Sequence, residues 1–240
     1  MTAGTTATAD ASFVASHTTD ANLPYAPRRL TRGERNRREV FVFFSPRNQR
    51  VVTIADVVNA AVGLKFEFDP NIQNYVERPR RIQFNTKQQI DVSFWTRDAS
   101  GEERFYLVVP EAGTVGSTTG TVSIRDRSEL DEAGRRNGIR LHYVTEAELL
   151  SARTWLATGF ELLPLVWDYG RLPTRSLIRN QIRARLANTE RVSLSNLIKT
   201  LEFTPASVRA VVAGMVHRGD LRLVEYLPGA SDATLEMLRA

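Results

Sequence analysis

A strand, a tight turn and a second strand between Ile90 and Val109 constrain the fold of this chain most. Ile90, Val92 and Phe94 alternate with Asp91, Ser93 and Trp95 along the first strand. Asp98-Ala99-Ser100-Gly101 is a turn sequence, and Arg104 to Val109 forms the return strand. The pattern predicts a β-hairpin with Asp91 inside a largely apolar strand. Asp91 then either belongs to a functional site or faces solvent from a half-buried strand.

The composition is that of a globular chain with room for two domains. It has 240 residues, of which 42% are hydrophobic and 25% charged. No apolar run approaches the roughly 20 residues that a membrane-spanning helix needs. Residues 1–22 are rich in Thr, Ala and Ser, and they predict a disordered leader and not a signal peptide. The cytoplasm is the expected compartment.

The scarcity of metal-binding side chains excludes several kinds of site. The chain has no Cys, which excludes disulfides and thiolate zinc sites. Its three histidines, His17, His142 and His217, are scattered along the sequence and do not predict a metal cluster.

Positive charge indicates a polyanionic partner. The net charge is +5, and 29 arginines stand against three lysines. A GC-rich coding sequence would give the same bias, so the distribution matters. Arginines gather before the first strand, at Arg28, Arg29, Arg32, Arg35, Arg37 and Arg38. A second group, Arg175, Arg179 and Arg183, repeats every four residues and predicts a phosphate-tracking helix face.

A first domain is predicted over residues 35–152, after a disordered and basic leader over 1–34. Its predicted strands are 39–44, 51–53, 72–77, 81–84 and 139–144. Its predicted helices run from a cap at Thr53 to Leu64, over 127–138 and from Thr145 onward. A mobile loop is expected from Gly113 to Thr121.

This order resembles the N-terminal endonuclease domain of the TnsA family, the nuclease subunits of heteromeric transposases. The matching segments are SPRNQRVV at 45–52, FEFDPNIQNY at 66–75, the strand aspartate Asp91 and GIRLHYVTEAEL at 138–149. The resemblance implies a restriction-endonuclease-like mixed α/β sheet flanked by helices. It also implies Mg²⁺-dependent DNA cleavage, with a transposase subunit and an ATP-dependent transposition regulator as partners.

The family's catalytic residues are mostly absent. The family's helix-borne glutamate falls on Ile54, Ala55 and Asp56, and its acid-x-Lys pair falls on Val108 to Pro110. Asp91 alone carries over, and one carboxylate does not assemble a Mg²⁺ site. We therefore predict a protein without metal, cofactor or strand cleavage. The alternative is an active endonuclease in which Asp56 and Glu111 join Asp91 around Mg²⁺.

A second domain, over residues 153–240, is predicted to be a winged helix-turn-helix. After an apolar connector at 162–167, helices are expected at 175–187, 193–201 and 204–218, followed by a strand at 221–226. The third helix would read a DNA groove with residues expected to point outward, namely Ser207, Arg209, Ala210, Ala213, His217 and Arg218. A winged helix that makes protein contacts is an open alternative.

The combined prediction is a DNA-binding, TnsA-like component of a transposition system, with a homodimer also compatible. The predicted DNA-binding residues are Arg175, Arg179, Arg183, Arg209, Arg218 and Arg222. A winged-helix transcriptional regulator is a further alternative, with the first domain as its scaffold.

Overall fold

A four-stranded mixed sheet lies at the centre of the N-terminal half in the computed structural model. The structure describes residues 23–116, 122–151, 153–187, 189–224, 226, 229–230 and 232–238. The helices are α1 (Arg32–Arg37), α2 (Val57–Phe68), α3 (Arg127–Arg136), α4 (Glu146–Ser151), α5 (Arg153–Arg171), α6 (Arg175–Ala187), α7 (Leu194–Thr200) and α8 (Pro205–His217). The first seven strands are β1 (Val40–Ser45), β2 (Arg50–Ala55), β3 (Ile72–Glu77), β4 (Arg81–Gln83), β5 (Gln89–Asp91), β6 (Phe94–Asp98) and β7 (Glu103–Val109). The others are β8 (Thr114–Gly116), β9 (Val122–Ile124), β10 (Leu141–Thr145), β11 (Arg191–Ser193), β12 (Leu221–Val224) and β13 (Thr234–Met237).

The central sheet has the strand order β10-β7-β6-β3 and is buried on both faces. β10 runs parallel to β7, and the other neighbours are antiparallel. Phe94 points to one face, where its ring meets Phe66 of α2 at 5.4 Å. Trp95 points to the other face, where Tyr25 of the N-terminal segment packs at 5.6 Å. A mixed α/β fold follows, and part of the predicted leader packs on the sheet.

The predicted hairpin is confirmed, but Asp91 is not on it. β6 and β7 pair antiparallel with Phe94 opposite Tyr106, and Asp98 accepts hydrogen bonds from Ser100 and Glu102 in the turn. Val92 and Ser93 interrupt the predicted strand, so Asp91 falls on β5, which pairs with β4. Burial of Val92 explains the break, because this side chain packs beside Trp95.

Two segments of the sequence were predicted wrongly. The apolar connector at 162–167 is the middle of α5, which continues through Pro164. Leu162, Leu163 and Val166 are all buried there, and their burial offsets the roughly 3 kcal/mol cost of a proline inside a helix. The start of the expected loop at 113–121 forms β8, which pairs with β9, whereas 117–121 lie outside the described residues.

The C-terminal half runs helix, strand, helix, helix, strand, strand, through α6, β11, α7, α8, β12 and β13. Its sheet has the order β11-β13-β12, all antiparallel. One apolar core joins this half to α2 and α5, because Leu64 and Phe68 pack in the same cluster as Ile182 and Met215. Across the described ranges, no helix combines the length and the apolar character needed to cross a membrane.

Candidate functional site

The carboxylate of Asp91 is held by two guanidinium groups. Arg81 donates from Nε to Oδ1 at 2.9 Å and from Nη2 to Oδ2 at 3.1 Å, and Arg28 donates from Nη1 to Oδ1. Backbone bonds fix Arg28 in place, since its N–H donates to the Arg78 carbonyl and its carbonyl accepts from Arg78 Nε. Partial burial raises the pKa of Asp91, but the hydrogen bond from Arg81 and the charge of Arg28 outweigh it and lower the pKa below 3.8.

The other two proposed carboxylates do not join Asp91. Asp56 is the N-cap of α2, where Oδ1 accepts from the Asn59 amide at 2.8 Å and Oδ2 from Arg38 at 3.2 Å. Glu111 begins a short 3-10 turn after β7. Among the described residues, no three His, Cys, Asp or Glu side chains are grouped so that they could hold a metal.

The residues at this position do not fit a Mg²⁺ ion. Val108 and Val109 are buried at the end of β7, at the position expected for an acid-x-Lys pair, and neither side chain can bind a cation. The carboxylate of Asp91 already has two cationic partners. A divalent cation would have to displace both arginines, and the described residues offer no group of three ligands to hold it. The described structure does not group Asp56, Asp91 and Glu111 around one point.

In the predicted arginine row of α6, Arg175 and Arg183 are exposed and Arg179 is half-buried. Ile178, Ile182 and Leu186 form the buried face of this helix. Arg175 lies over the ring of Tyr169, with 5.9 Å from Cζ to the ring centroid. Arg183 donates to Asp220 at 2.9 Å, and the Nε of Arg179 has no hydrogen-bond partner. No acidic residue occurs in α6 itself.

Arg218, at the C-cap of α8, belongs to the same surface. Its Nη2 donates to Asp220 at 3.1 Å, and its Cζ lies 4.9 Å from the Tyr169 ring centroid. Asp220 thus has Arg183 and Arg218 as partners, so positive charge exceeds negative charge at this point.

Arg222 and Arg209 lie elsewhere. Arg222 on β12 donates to Glu236 on the neighbouring strand at 3.0 Å, and Arg191 pairs with the same carboxylate. Arg209 is exposed on α8, and its charge acts on the phenol of Tyr226, which donates to Glu161. The six predicted arginines therefore do not form one continuous row.

Three of the six residues predicted to point outward from α8, namely Ala210, Ala213 and His217, are buried instead, whereas Arg209 and Arg218 are exposed. Ala213 is 0% exposed, Ala210 4% and His217 8%. The ring of Tyr169 on α5 lies directly against Gly214, where an added Cβ would come within 2.3 Å of it. The sequence pattern of α8 and its neighbouring helices does not show that α5 covers this helix.

A buried polar cluster joins the two halves, and sequence reasoning did not find it. Glu67 of α2 is 0% exposed and accepts from Ser45 Oγ at 2.5 Å, from Tyr75 Oη at 2.9 Å and from the Arg47 amide at 2.9 Å. Its other contact is with His217 of α8, 2.8 Å from Nε2 to Oε1.

Hydrogen bonds in this cluster favour the ionised form of Glu67. Burial raises the pKa of Glu67, but the bond to His217 and the charge of that ring, with the bonds from Ser45 and Arg47, lower it below 4.5. Burial, followed by the neighbouring charge of Glu67, raises the pKa of Tyr75 well above 10. The sequence feature that could have indicated this buried cluster is Phe66-Glu67-Phe68, in which a charged residue lies within an apolar helix.

Comparison with protein-family models gives no match to this chain, and comparison with curated proteins gives none either.

Proposed function

We propose that this chain is a DNA-binding, TnsA-like component of a transposition system that does not cleave DNA. The observation that carries the proposal is the pairing of Asp91 with Arg28 and Arg81, at the position where a nuclease of this kind would bind its metal. Two cations on Asp91, and the apolar side chains of Val108 and Val109 buried at the end of β7, are compatible with a scaffold that has lost catalysis.

Two features support DNA as the partner. The arginine row of α6 carries positive charge on a helix without acids, and Arg218 extends it from α8. The element order from α6 to β13, with two helices before a two-stranded antiparallel unit, agrees with a winged helix-turn-helix. A restriction-endonuclease-like description of the first half is likewise part of the proposal, supported by the mixed sheet with helices on its faces.

The implied partners follow from the same proposal. A non-cleaving subunit would hold donor DNA ends while a transposase subunit performs the chemistry, under an ATP-dependent regulator. A homodimer would let one complex hold two ends. A role as a transcriptional regulator is less well supported, because the helix that would read an operator is covered by α5.

A plasmid experiment tests the proposal. Supercoiled plasmid is incubated with the full chain in Mg²⁺ or Mn²⁺, and both gel retardation and nicking are measured. We expect salt-dependent retardation, no nicking, and the same result for Asp91→Ala. Retardation should weaken when Arg175, Arg179 and Arg183 are changed together to Gln. Nicking that disappears in Asp91→Ala would refute the loss of catalysis, and an absence of retardation would refute DNA binding.

A further inference from the structure

We propose that Arg175, Arg183 and Arg218, here called the arginine cluster, form a preorganised site for backbone phosphates of duplex DNA, and that the chain binds DNA without reading its bases. This inference rests on the proposed DNA-binding function and specifies the mode of recognition. It joins two observations: how the three guanidinium groups are held, and what covers α8.

Asp220 and Tyr169 hold the arginine cluster in place. The two carboxylate oxygens of Asp220 accept from Arg183 at 2.9 Å and from Arg218 at 3.1 Å. The Tyr169 ring lies under Arg218 and beside Arg175, with Cζ-to-centroid distances of 4.9 and 5.9 Å. Guanidinium groups from α6 and from the end of α8 are therefore brought together by groups that belong to the protein.

This arrangement leaves binding capacity for phosphate. Asp220 is one carboxylate between two arginines, and the side chains of Arg183 and Arg218 remain 44% and 37% exposed. Each guanidinium has five N–H donors, so several on each side chain remain available to solvent or to an anion. Because the stacking and ion pairs already restrict the arginines, less side-chain entropy is lost when phosphate binds.

The covering of α8 removes the usual means of reading a sequence. One side of the helix packs on α6 and α7, through Val208, Val211 and Met215. Another side meets α5, through Gly214, and α2, where the ring of Phe68 lies 5.4 Å from that of His217. A helix reads base edges only when one face enters the major groove.

Few side chains of α8 remain for base contacts. Within Pro205–His217, which the structure describes completely, the exposed residues are Pro205, Ala206 and Arg209. Two of these have no polar side-chain group. Arg209 is then the one exposed side chain of this helix able to contact a base edge, and contact with one base pair does not define a site. Recognition is therefore left to the phosphates, which carry no sequence information.

Binding of the full chain to short labelled duplexes tests this inference. Duplexes of unrelated sequence, one AT-rich and one GC-rich, should bind with affinities within about threefold of each other, since backbone contacts do not depend on sequence. Affinity should fall steeply with salt. Replacing Arg175, Arg183 and Arg218 by Gln should lower the slope of log affinity against log salt by about 2 to 3, because each lost phosphate contact removes about 0.9.

Two matched variants separate the site from general effects of charge or folding. In the first variant, the same three arginines are changed to Lys, which keeps the charge but removes the two-pronged hydrogen-bonding geometry of the guanidinium. Its salt slope should be close to that of the unmodified chain and steeper than that of the triple Gln variant. Arg127, Arg135 and Arg140 lie on or just after α3 and are exposed, and changing all three to Gln removes equal charge from another surface. That control should lower the slope by less than one.

Several outcomes would overturn the inference. If the α3 control lowered the slope of log affinity against log salt by the same amount, the arginine cluster would not be the phosphate-binding site. A preference of tenfold or more for one duplex sequence would show base reading while leaving DNA binding intact. Tighter binding of duplex RNA than of duplex DNA, or full competition by millimolar inorganic phosphate, would change the ligand class. If the unmodified chain bound no duplex, the proposed function would fail together with the inference.

Discussion

Asp91 shows how one carboxylate can have a different role according to the partners around it. In a nuclease, a carboxylate at this position would bind a divalent cation together with a second acid. Here its oxygens accept from Arg28 and Arg81, and its side chain is 27% exposed. Arg28 comes from the N-terminal segment, so the ion pair also attaches that segment to the β4–β5 hairpin. The residue therefore ties the N-terminal segment to this hairpin.

Asp91→Asn should lower the free energy of unfolding by about 1–2 kcal/mol at neutral pH, because two charge-assisted hydrogen bonds become neutral in a partly exposed site. The folded-state pKa of Asp91 is below 3.8, its unfolded value. Its contribution is complete above that value and is lost as the pH falls through the folded pKa. Urea unfolding should show that the difference in free energy of unfolding between wild type and Asp91→Asn is smaller at about pH 3 than at neutral pH.

The exposed ion pair of Arg135 and Glu132 supplies a control for this experiment. Its side chains are 73% and 45% exposed, so Glu132→Gln should have little effect at either pH. A gap between wild type and Asp91→Asn that stays the same in acid would contradict the role assigned to Asp91.

At the scale of elements, the contact between α5 and α8 depends on Gly214. A Cβ at this position would lie 2.3 Å from the Tyr169 ring, closer than side chains pack. The two helices approach closely enough there for Tyr169 to lie between Gly214 and Arg218. The same ring is thus part of both the helix contact and the arginine cluster.

Gly214→Ala should destabilise the fold by about 1–3 kcal/mol, because Tyr169 must move to make room. Displacing the ring should also weaken duplex binding, since it supports Arg218. Thermal unfolding and duplex binding measure the two effects. The matched control is Gly170→Ala, where nothing lies within 4 Å of the added Cβ, and this change should be neutral or mildly stabilising. If both variants had the same thermal stability and the same affinity for duplex DNA, the α5–α8 contact at Gly214 would have room for a Cβ.

How well each element could be predicted from the sequence depends on whether its pattern is local. α6 and β3 have the predicted bounds, because the period of their apolar residues is strong. β11 and β13 were missed, since each has only three or four residues and pairs with a strand far along the chain. Pro164 misled the prediction for α5, because its apolar neighbours gain stability only once the core has formed.

The candidate site was less predictable than the fold for the same reason. The arginine row of α6 could be predicted from its spacing, and two of its three members, Arg175 and Arg183, are exposed. The residues that hold the cluster, Tyr169 and Asp220, have no spacing that links them to it. The burial of α8 likewise depends on how α5 folds back, and no short segment of sequence specifies that.

On the scale of the whole molecule, Glu67 and His217 connect the two halves. Arg47 strengthens the connection, since its guanidinium donates to the carbonyls of Glu67 at 2.8 Å and of His217 at 3.3 Å. The surrounding core is continuous, because Phe68 of α2 packs against both His217 and Trp155 of α5. With polar and apolar contacts on the same boundary, the two halves should unfold together.

Glu67→Gln tests this expectation. The variant keeps the size of the side chain but removes the negative charge that faces His217 and Arg47. It should lower the free energy of unfolding by about 3 kcal/mol, as expected when one member of a buried pair is changed. Hydrogen exchange should show faster opening of β7 in the first half and of α8 in the second, by a similar factor, because a cooperative boundary transmits the loss to both.

A second glutamate, Glu236, supplies a control variant whose effect should stay within one half of the molecule. Glu236 pairs with Arg191 and Arg222 inside the C-terminal sheet, so Glu236→Gln should speed exchange in β12 and β13 without affecting β7. If Glu67→Gln also affected only one half, α8 would be held by its own neighbours alone. The helix could then separate from α5 while the rest stayed folded, and its covered face would become available to DNA. Exchange at β7 and α8 in the same sample therefore decides whether the covering of α8 is a permanent part of the fold.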